Sequence, residues 1–287
     1  MKSNVLLVCT LAIAAFLSSC QKDNQTPSKP EADLQSADLQ EADLQNANTG
    51  LTNLNCSIIG NTLNRGLIAF YPFHGNANDE SGHGHNGVFS GTGTPTLTRN
   101  KYGISNEAYN FNGNSIITVN TLFNTHAEQT QFSFYVRCKS NTIGTLLSIG
   151  DAYDSTKGSP YFVLETSYGI LQLPSPGNQN GVSVLWTETP GNGGAGFDSF
   201  LPSFCENSWM DLVVNYSNSV LTLYVNGKLV GTVTTGFPAP ARLGSGLLIG
   251  ALYGHGSPSF FYNSAIDEIR VYKRSLSTDE INYLLAH

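Results

Sequence analysis

The chain is poor in charge. Only 12% of its 287 residues are charged, with 14 Lys and Arg against 21 Asp and Glu, for a net charge of −7. The basic residues are scattered, so no cluster is present to replace phosphate counterions, and nucleic acid is excluded as a partner. No apolar run reaches the roughly 20 residues that a membrane-spanning helix needs. Cysteine is also scarce. Of five, only Cys56, Cys138 and Cys205 lie beyond the first 20 residues, which allows one disulfide and one leftover thiol. No G-x-S-x-G turn is present, so Ser-His-Asp chemistry has no motif behind it.

What is present begins with Lys2 and a short apolar run, Val5 to Leu17, ending in Leu17-Ser-Ser-Cys20. A basic start, a short apolar core and small residues before a Cys read as an export signal. The Leu-Ser-Ser-Cys sequence resembles a bacterial lipobox. That resemblance implies a lipoprotein signal peptide over 1–19 and a lipidated Cys20 as the first mature residue. Several acyl chains make a stable membrane anchor. Gln21-Lys22-Asp23-Asn24 resembles the acidic export tag of some Gram-negative lipoproteins, which implies an outer-membrane lipoprotein exposed at the cell surface.

Residues 20–65 read as a tether. Three pentads, EADLQ, SADLQ and EADLQ, run from Glu31 to Gln45 and set Leu34, Leu39 and Leu44 five apart. Five residues advance about 500° around a helix, so successive leucines sit roughly 140° apart and no apolar stripe forms. A flexible spacer of about 45 residues spans on the order of 40 Å. A docking repeat is the alternative reading.

From residue 66 to 287 the chain reads as strands and turns. Phe132, Phe134 and Val136 alternate with polar neighbours, as do Met210, Leu212, Val214 and Tyr216. Asn226-Gly227 between two strand-like runs predicts a tight hairpin, because both turn positions need φ > 0. Ser277-Thr-Asp-Glu280 ahead of Ile281, Leu284 and Leu285 is a capping-box sequence and predicts one short C-terminal helix.

Two segments carry a family resemblance: GLIAFYPFHGNANDESGHGHNG at 66–87 and AIDEIRVYKRSLSTDEI at 265–281. Together with Trp209-Met-Asp-Leu-Val-Val-Asn-Tyr and Leu223-Tyr-Val-Asn-Gly, they resemble the LamG-like jelly rolls of the concanavalin A-like lectin/glucanase superfamily. The resemblance implies an all-β, two-sheet antiparallel sandwich with its first and last strands side by side. It implies a binding module more than an enzyme, since the acidic E-x-D-x-E strand motif common in the glycanases is absent. Asp267 and Glu268 are adjacent on a strand and are expected to point to opposite faces.

The candidate sites are few. Similar domains often hold Ca²⁺ near the start of the last strand, and hard oxygen donors suit that ion. Asp79, in the loop after the first strand, and Asp267 are the expected ligands; the alternative is that Asp267 caps loop amides and Asp79 forms a turn. His83 and His85 with nearby His74 suggest zinc, but no third close ligand completes a pattern. Cys138 shares parity with Phe132, Phe134 and Val136, which predicts a buried thiol; similar folds instead imply a Cys138–Cys205 bridge. Trp186 and Tyr253 stand beside Gly-rich loops and are the expected ligand-stacking aromatics. The reading is an envelope-anchored, noncatalytic module for a glycan, with a structural or adhesion protein that binds other proteins as the alternative.

Overall fold

The computed structural model describes residues 57–123, 128–140, 143–150, 161–167, 181–187, 195–200, 208–235, 241–242, 246–254 and 257–287. Cys20, the EADLQ repeats, Cys56 and Cys205 lie outside them. The strands in chain order are β1 (Leu67–Tyr71), β2 (Val88–Gly91), β3 (Thr96–Arg99), β4 (Ser105–Asn110), β5 (Ser115–Val119), β6 (Glu128–Gln129) and β7 (Gln131–Ser140). Next come β8 (Gly144–Ile149), β9 (Tyr161–Ser167), β10 (Gly181–Thr187), β11 (Ala195–Phe200), β12 (Ser208–Ser217) and β13 (Val220–Val225). The chain ends with β14 (Lys228–Thr234), β15 (Ala241–Arg242), β16 (Leu247–Ile249), β17 (Leu252–Gly254), β18 (Ser257–Ser259), β19 (Ala265–Tyr272) and a helix, α1 (Thr278–Ala286).

Two antiparallel sheets face each other. The first runs β14-β13-β12-β7-β19-β4-β3, with β1 also paired to β19. The second runs β11-β10-β9-β8-β16-β5-β2. Alternation along the strands sends Phe132, Phe134, Val136, Leu212 and Val214 inward from the first sheet. Phe162, Leu164, Val182 and Val184 meet them from the second. The rings of Phe134 and Phe162 stack with centroids 4.7 Å apart, so the layers interlock at the centre. The first and last strands are neighbours, with Phe70 opposite Arg270 and Tyr71 opposite Ile269. Asn226 (φ 48°) and Gly227 (φ 76°) turn β13 into β14, the left-handed pair that such a two-residue hairpin demands.

The outer face of the first sheet carries α1. Ser277 caps it and Glu280 closes the capping box. Ile281 and Leu284 pack on Tyr135, Val213 and Tyr272, a second apolar cluster outside the main core. Leu63 joins that cluster and is 2% exposed. Arg274 donates to both oxygens of Glu280 at 2.7 Å, and also to the carbonyls of Thr62 (2.9 Å) and Arg65 (2.6 Å). The expected tether boundary at residue 65 is therefore corrected. Residues 57–65 are folded onto the domain, because one apolar side chain and one arginine bind them there. Burial alone would raise the Glu280 carboxyl; hydrogen bonds from Arg274, the Ser277 N–H and Thr62 outweigh it and hold the pKa down at about 2.

Candidate ligand-binding groove

The inward alternation of β7 and β12 leaves Tyr135, Arg137, Lys139, Trp209, Asp211 and Val213 on the outer face of the first sheet. Helix α1 covers Tyr135 and Val213. Its last carbonyls are held by cations: Arg137 Nη2 donates to Leu284 O (3.1 Å) and Lys101 Nζ to Leu285 O (3.2 Å). Positive charge at a helix C-terminus is favoured by the macrodipole and satisfies carbonyls that lack an intrahelical partner. Trp209 and Lys139, paired across β12 and β7, remain half-exposed. A groove of about 560 Å³ opens between them and the β3–β4 hairpin, lined also by Arg99, Asn100, Lys101 and Asn106.

The hairpin wall is rigidly built. Asn100 is 9% exposed, and its Oδ1 accepts from the N–H groups of Tyr102 and Ile104, both at 2.9 Å. Its Nδ2 donates to Glu107 at 2.9 Å. Next to the Lys139–Trp209 pair on the same strands lies a buried charge cluster, which reaches the groove through Lys101. Arg137, 2% exposed, donates from Nε to Asp211 at 2.7 Å, and Lys101 Nζ reaches the other Asp211 oxygen at 3.0 Å. The Tyr135 hydroxyl also donates to Asp211, at 2.7 Å. Burial pulls the Arg137 pKa down, but Tyr135, Asp211 and Glu268 beside it outweigh that and hold it above its ordinary value. An aromatic wall, cations and amides around an open channel form an arrangement that can stack a ring and hydrogen-bond its substituents.

The family model of the concanavalin A-like lectin/glucanases superfamily matches residues 111–282, well over half of the chain. The chain belongs to that superfamily. No curated protein matches it. Among solved structures, Domain 4 of AbnA, a GH43 extracellular arabinanase from Geobacillus stearothermophilus, in complex with arabinotriose, is 20% identical, with a TM-score of 0.54. That alignment covers 77% of this chain and 98% of the other. The binding domain of botulinum neurotoxin serotype D/C is 12% identical with a TM-score of 0.53. There the alignment covers 78% of this chain but only 52% of the toxin chain. Identities this low establish a shared fold.

Within this lectin-like sandwich, the expected site residues are dispersed. Asp79 does not sit beside Asp267. It holds the open edge of β1: Oδ1 accepts from the N–H groups of Phe70 and Ser81, both at 2.9 Å, and Oδ2 accepts from Ser81 Oγ (2.9 Å) and the His85 N–H (3.0 Å). Burial would raise this carboxyl; those hydrogen bonds hold it below its usual value. Four donors occupy both oxygens, which leaves Asp79 no lone pair for an ion. The acid thus protects an edge strand.

Asp267 faces Arg137, with Oδ2 3.8 Å from Nη1, and Glu268 reaches the same nitrogen at 3.5 Å. The expectation that Asp267 and Glu268 point to opposite faces is corrected. The pairing of β19 with β7 shifts register between Ile266 and Ile269, and the irregularity brings both acids to one guanidinium. Ile266, rather than Asp267, joins Ile269 and Val271 in the core. Among the described residues, no three His, Cys, Asp or Glu side chains are grouped as metal ligands. The pair Asp79 and Asp267 therefore does not fit Ca²⁺. Asp79→Ala is expected to cost about 1–3 kcal/mol, the desolvation penalty of its stranded donors, by the same amount in chelator and in millimolar Ca²⁺. Thermal melts in both buffers check this; a cost present only with Ca²⁺ would restore the ion.

His83 and His85 stand with ring centroids 6.4 Å apart, and His74 pairs with Glu80 at 3.2 Å. Cys138 carries a free, fully buried thiol, and Cys205, the partner that the resemblance implied, lies outside the described residues. The thiol faces the core, as its parity indicated, and burial raises its pKa despite a hydrogen bond with Tyr262. Trp186 lies in β10 opposite Phe162 and Ala195, its side chain outside the described residues. Tyr253 lies half-buried in β17 opposite Pro258. Neither lines the groove. The missed residue is Trp209. Its signal was legible, since an inward Met210 and Leu212 oblige Trp209 to face out.

Proposed function

We propose that this protein is a noncatalytic glycan-binding module anchored in the outer membrane through lipidated Cys20, with its domain facing the cell exterior. The observation that carries the reading is Trp209 in an open groove with Lys139, Arg99 and the Asn100 loop. An indole face stacks on a sugar ring, and the surrounding donors address its hydroxyls. The likeness to an arabinanase domain that holds arabinotriose supports a saccharide ligand on this fold. A protein ligand is the second reading. It is supported by a botulinum neurotoxin DC binding domain in complex with rat synaptotagmin II, at a TM-score of 0.52. The described residues contain no helix long and apolar enough to cross a membrane.

Two experiments test it. On a broad polysaccharide panel, Trp209→Ala is expected to weaken saccharide affinity by about 1–3 kcal/mol, roughly fivefold or more, while the melting curve stays cooperative. Unchanged affinity in the folded variant would remove the groove as the site. Cys20→Ala is expected to move the protein from the membrane to the soluble fraction and to abolish its acyl mass. Persistent membrane partitioning would sink the lipid anchor.

A further inference from the structure

Resting on the glycan reading, we infer that the groove selects acidic saccharides, with Arg99 and Lys139 receiving the sugar's carboxylate or sulfate beside Trp209. The chain is acidic overall, and four of its cations are bound to carboxylates. Lys101 is bound to Asp211, Arg137 to Asp211 and Glu268, Arg270 to Glu268, and Arg274 to Glu280. Arg99 and Lys139 have no carboxylate partner among the described residues. Arg99 donates from Nη1 to the Gly103 carbonyl at 2.6 Å, which orients the guanidinium at the hairpin wall. Lys139 stands directly across the strand pair from Trp209. Both cations and the indole line the same groove.

The local chemistry disfavours an internal explanation. Glu107, the acid of the same hairpin, is turned onto Asn100 Nδ2 and does not line the groove. Asp211 already accepts from Arg137, Lys101 and Tyr135. Lys101 is therefore internally neutralised, whereas Arg99 and Lys139 present unneutralised positive charge to whatever enters. A guanidinium donates two parallel hydrogen bonds to a carboxylate or sulfate, and an ammonium adds a point charge. A neutral sugar uses the indole but leaves both cations without a counter-ion.

The test uses the full chain in nonionic detergent and two matched polymer pairs. Polygalacturonate against its methyl ester isolates the carboxylate. Dextran sulfate against dextran isolates the sulfate. At low salt, at least one acidic member is expected to bind about tenfold more tightly than its neutral partner, and the gap is expected to close as salt rises. Which pair shows the gap identifies the anion. Arg99→Gln and Lys139→Gln should each erase most of the preference without lowering the melting temperature. Lys228→Gln, an exposed cation on β14, should leave it intact. Equal binding of acidic and neutral members, lost in Trp209→Ala, would overturn acid selection while the glycan reading stands. A preference lost equally in Lys228→Gln would reduce it to net charge and overturn it too. Binding to no polymer of either pair or of the broad panel would overturn both readings.

Discussion

Arg137→Ala is expected to lower the free energy of unfolding by about 3–5 kcal/mol, the cost of breaking a buried ion pair from one side. Arg137 is 2% exposed and touches three acids: Asp211 at 2.7 Å, Glu268 at 3.5 Å and Asp267 at 3.8 Å. Removing the cation leaves those carboxylates in a poorly hydrated site, with Asp211 held by Lys101 and Tyr135, Glu268 by Arg270, and Asp267 facing no cation among the described residues. It also strips a donor from the Leu284 carbonyl, so the end of α1 loses part of its attachment. Urea unfolding of wild type and variant measures the cost. Arg137→Met, which keeps much of the volume, should be nearly as damaging, because the loss is electrostatic. A cost below about 1 kcal/mol, the scale of exposed pairs, would show the cluster to be solvated.

The second large effect is a pH dependence. Asp267 is buried, and that burial, opposed by Arg137 and reinforced by Glu268, Asp211 and Glu107, raises its pKa to about 7. An unfolded aspartate titrates near ~3.9. The folded state thus holds the proton more tightly than the unfolded one. The resulting stability is complete below about pH 4 and is lost as pH rises through about 7. Between pH 5 and pH 8 the wild type is expected to lose on the order of 2–3 kcal/mol from this group. Asp267→Asn cannot titrate, so the difference between the two proteins should shrink or reverse towards pH 8. Glu280 works with the opposite sign, but its window lies between its ordinary pKa and about 2, well below the range scanned. Chemical denaturation at several pH values decides the matter. An Asp267→Asn protein with an unaltered slope would assign the dependence elsewhere.

Much of this molecule was legible from short-range chemistry. The inward rows of β7 and β12, the Asn226-Gly227 hairpin, the Ser277–Glu280 capping box and the pairing of first and last strands each follow from a local rule. What those rules miss is tertiary. Strand alternation set Asp267 and Glu268 on opposite faces, and the register shift between Ile266 and Ile269 undid it. A local irregularity of this kind leaves no mark in hydrophobic alternation. Asp79 was recognised as a polar loop acid, but its role depends on Phe70 presenting an unpaired N–H at a sheet edge, which only the assembled fold reveals. The groove depends on where α1 ends over the sheet. Neither the helix's resting place nor the approach of Lys101 from over 100 residues away is encoded in any single segment.

The position of β19 also dictates the order in which the molecule can assemble. That strand is the last of the chain, yet it lies inside the first sheet, paired with β7 on one edge and with β4 and β1 on the other. While the chain is being synthesised, β12, β13 and β14 can form local hairpins, but β7 has no partner on its β19 side and β1 has no ladder at all. Closing the sheet joins segments separated by nearly the whole chain, so the slowest search comes at the end. A chain truncated before Ala265 would be no shorter version of this sandwich. Its first sheet would be left in three unjoined parts, β14-β13-β12-β7, β4-β3 and a lone β1, exposing strand edges to one another and to neighbouring chains.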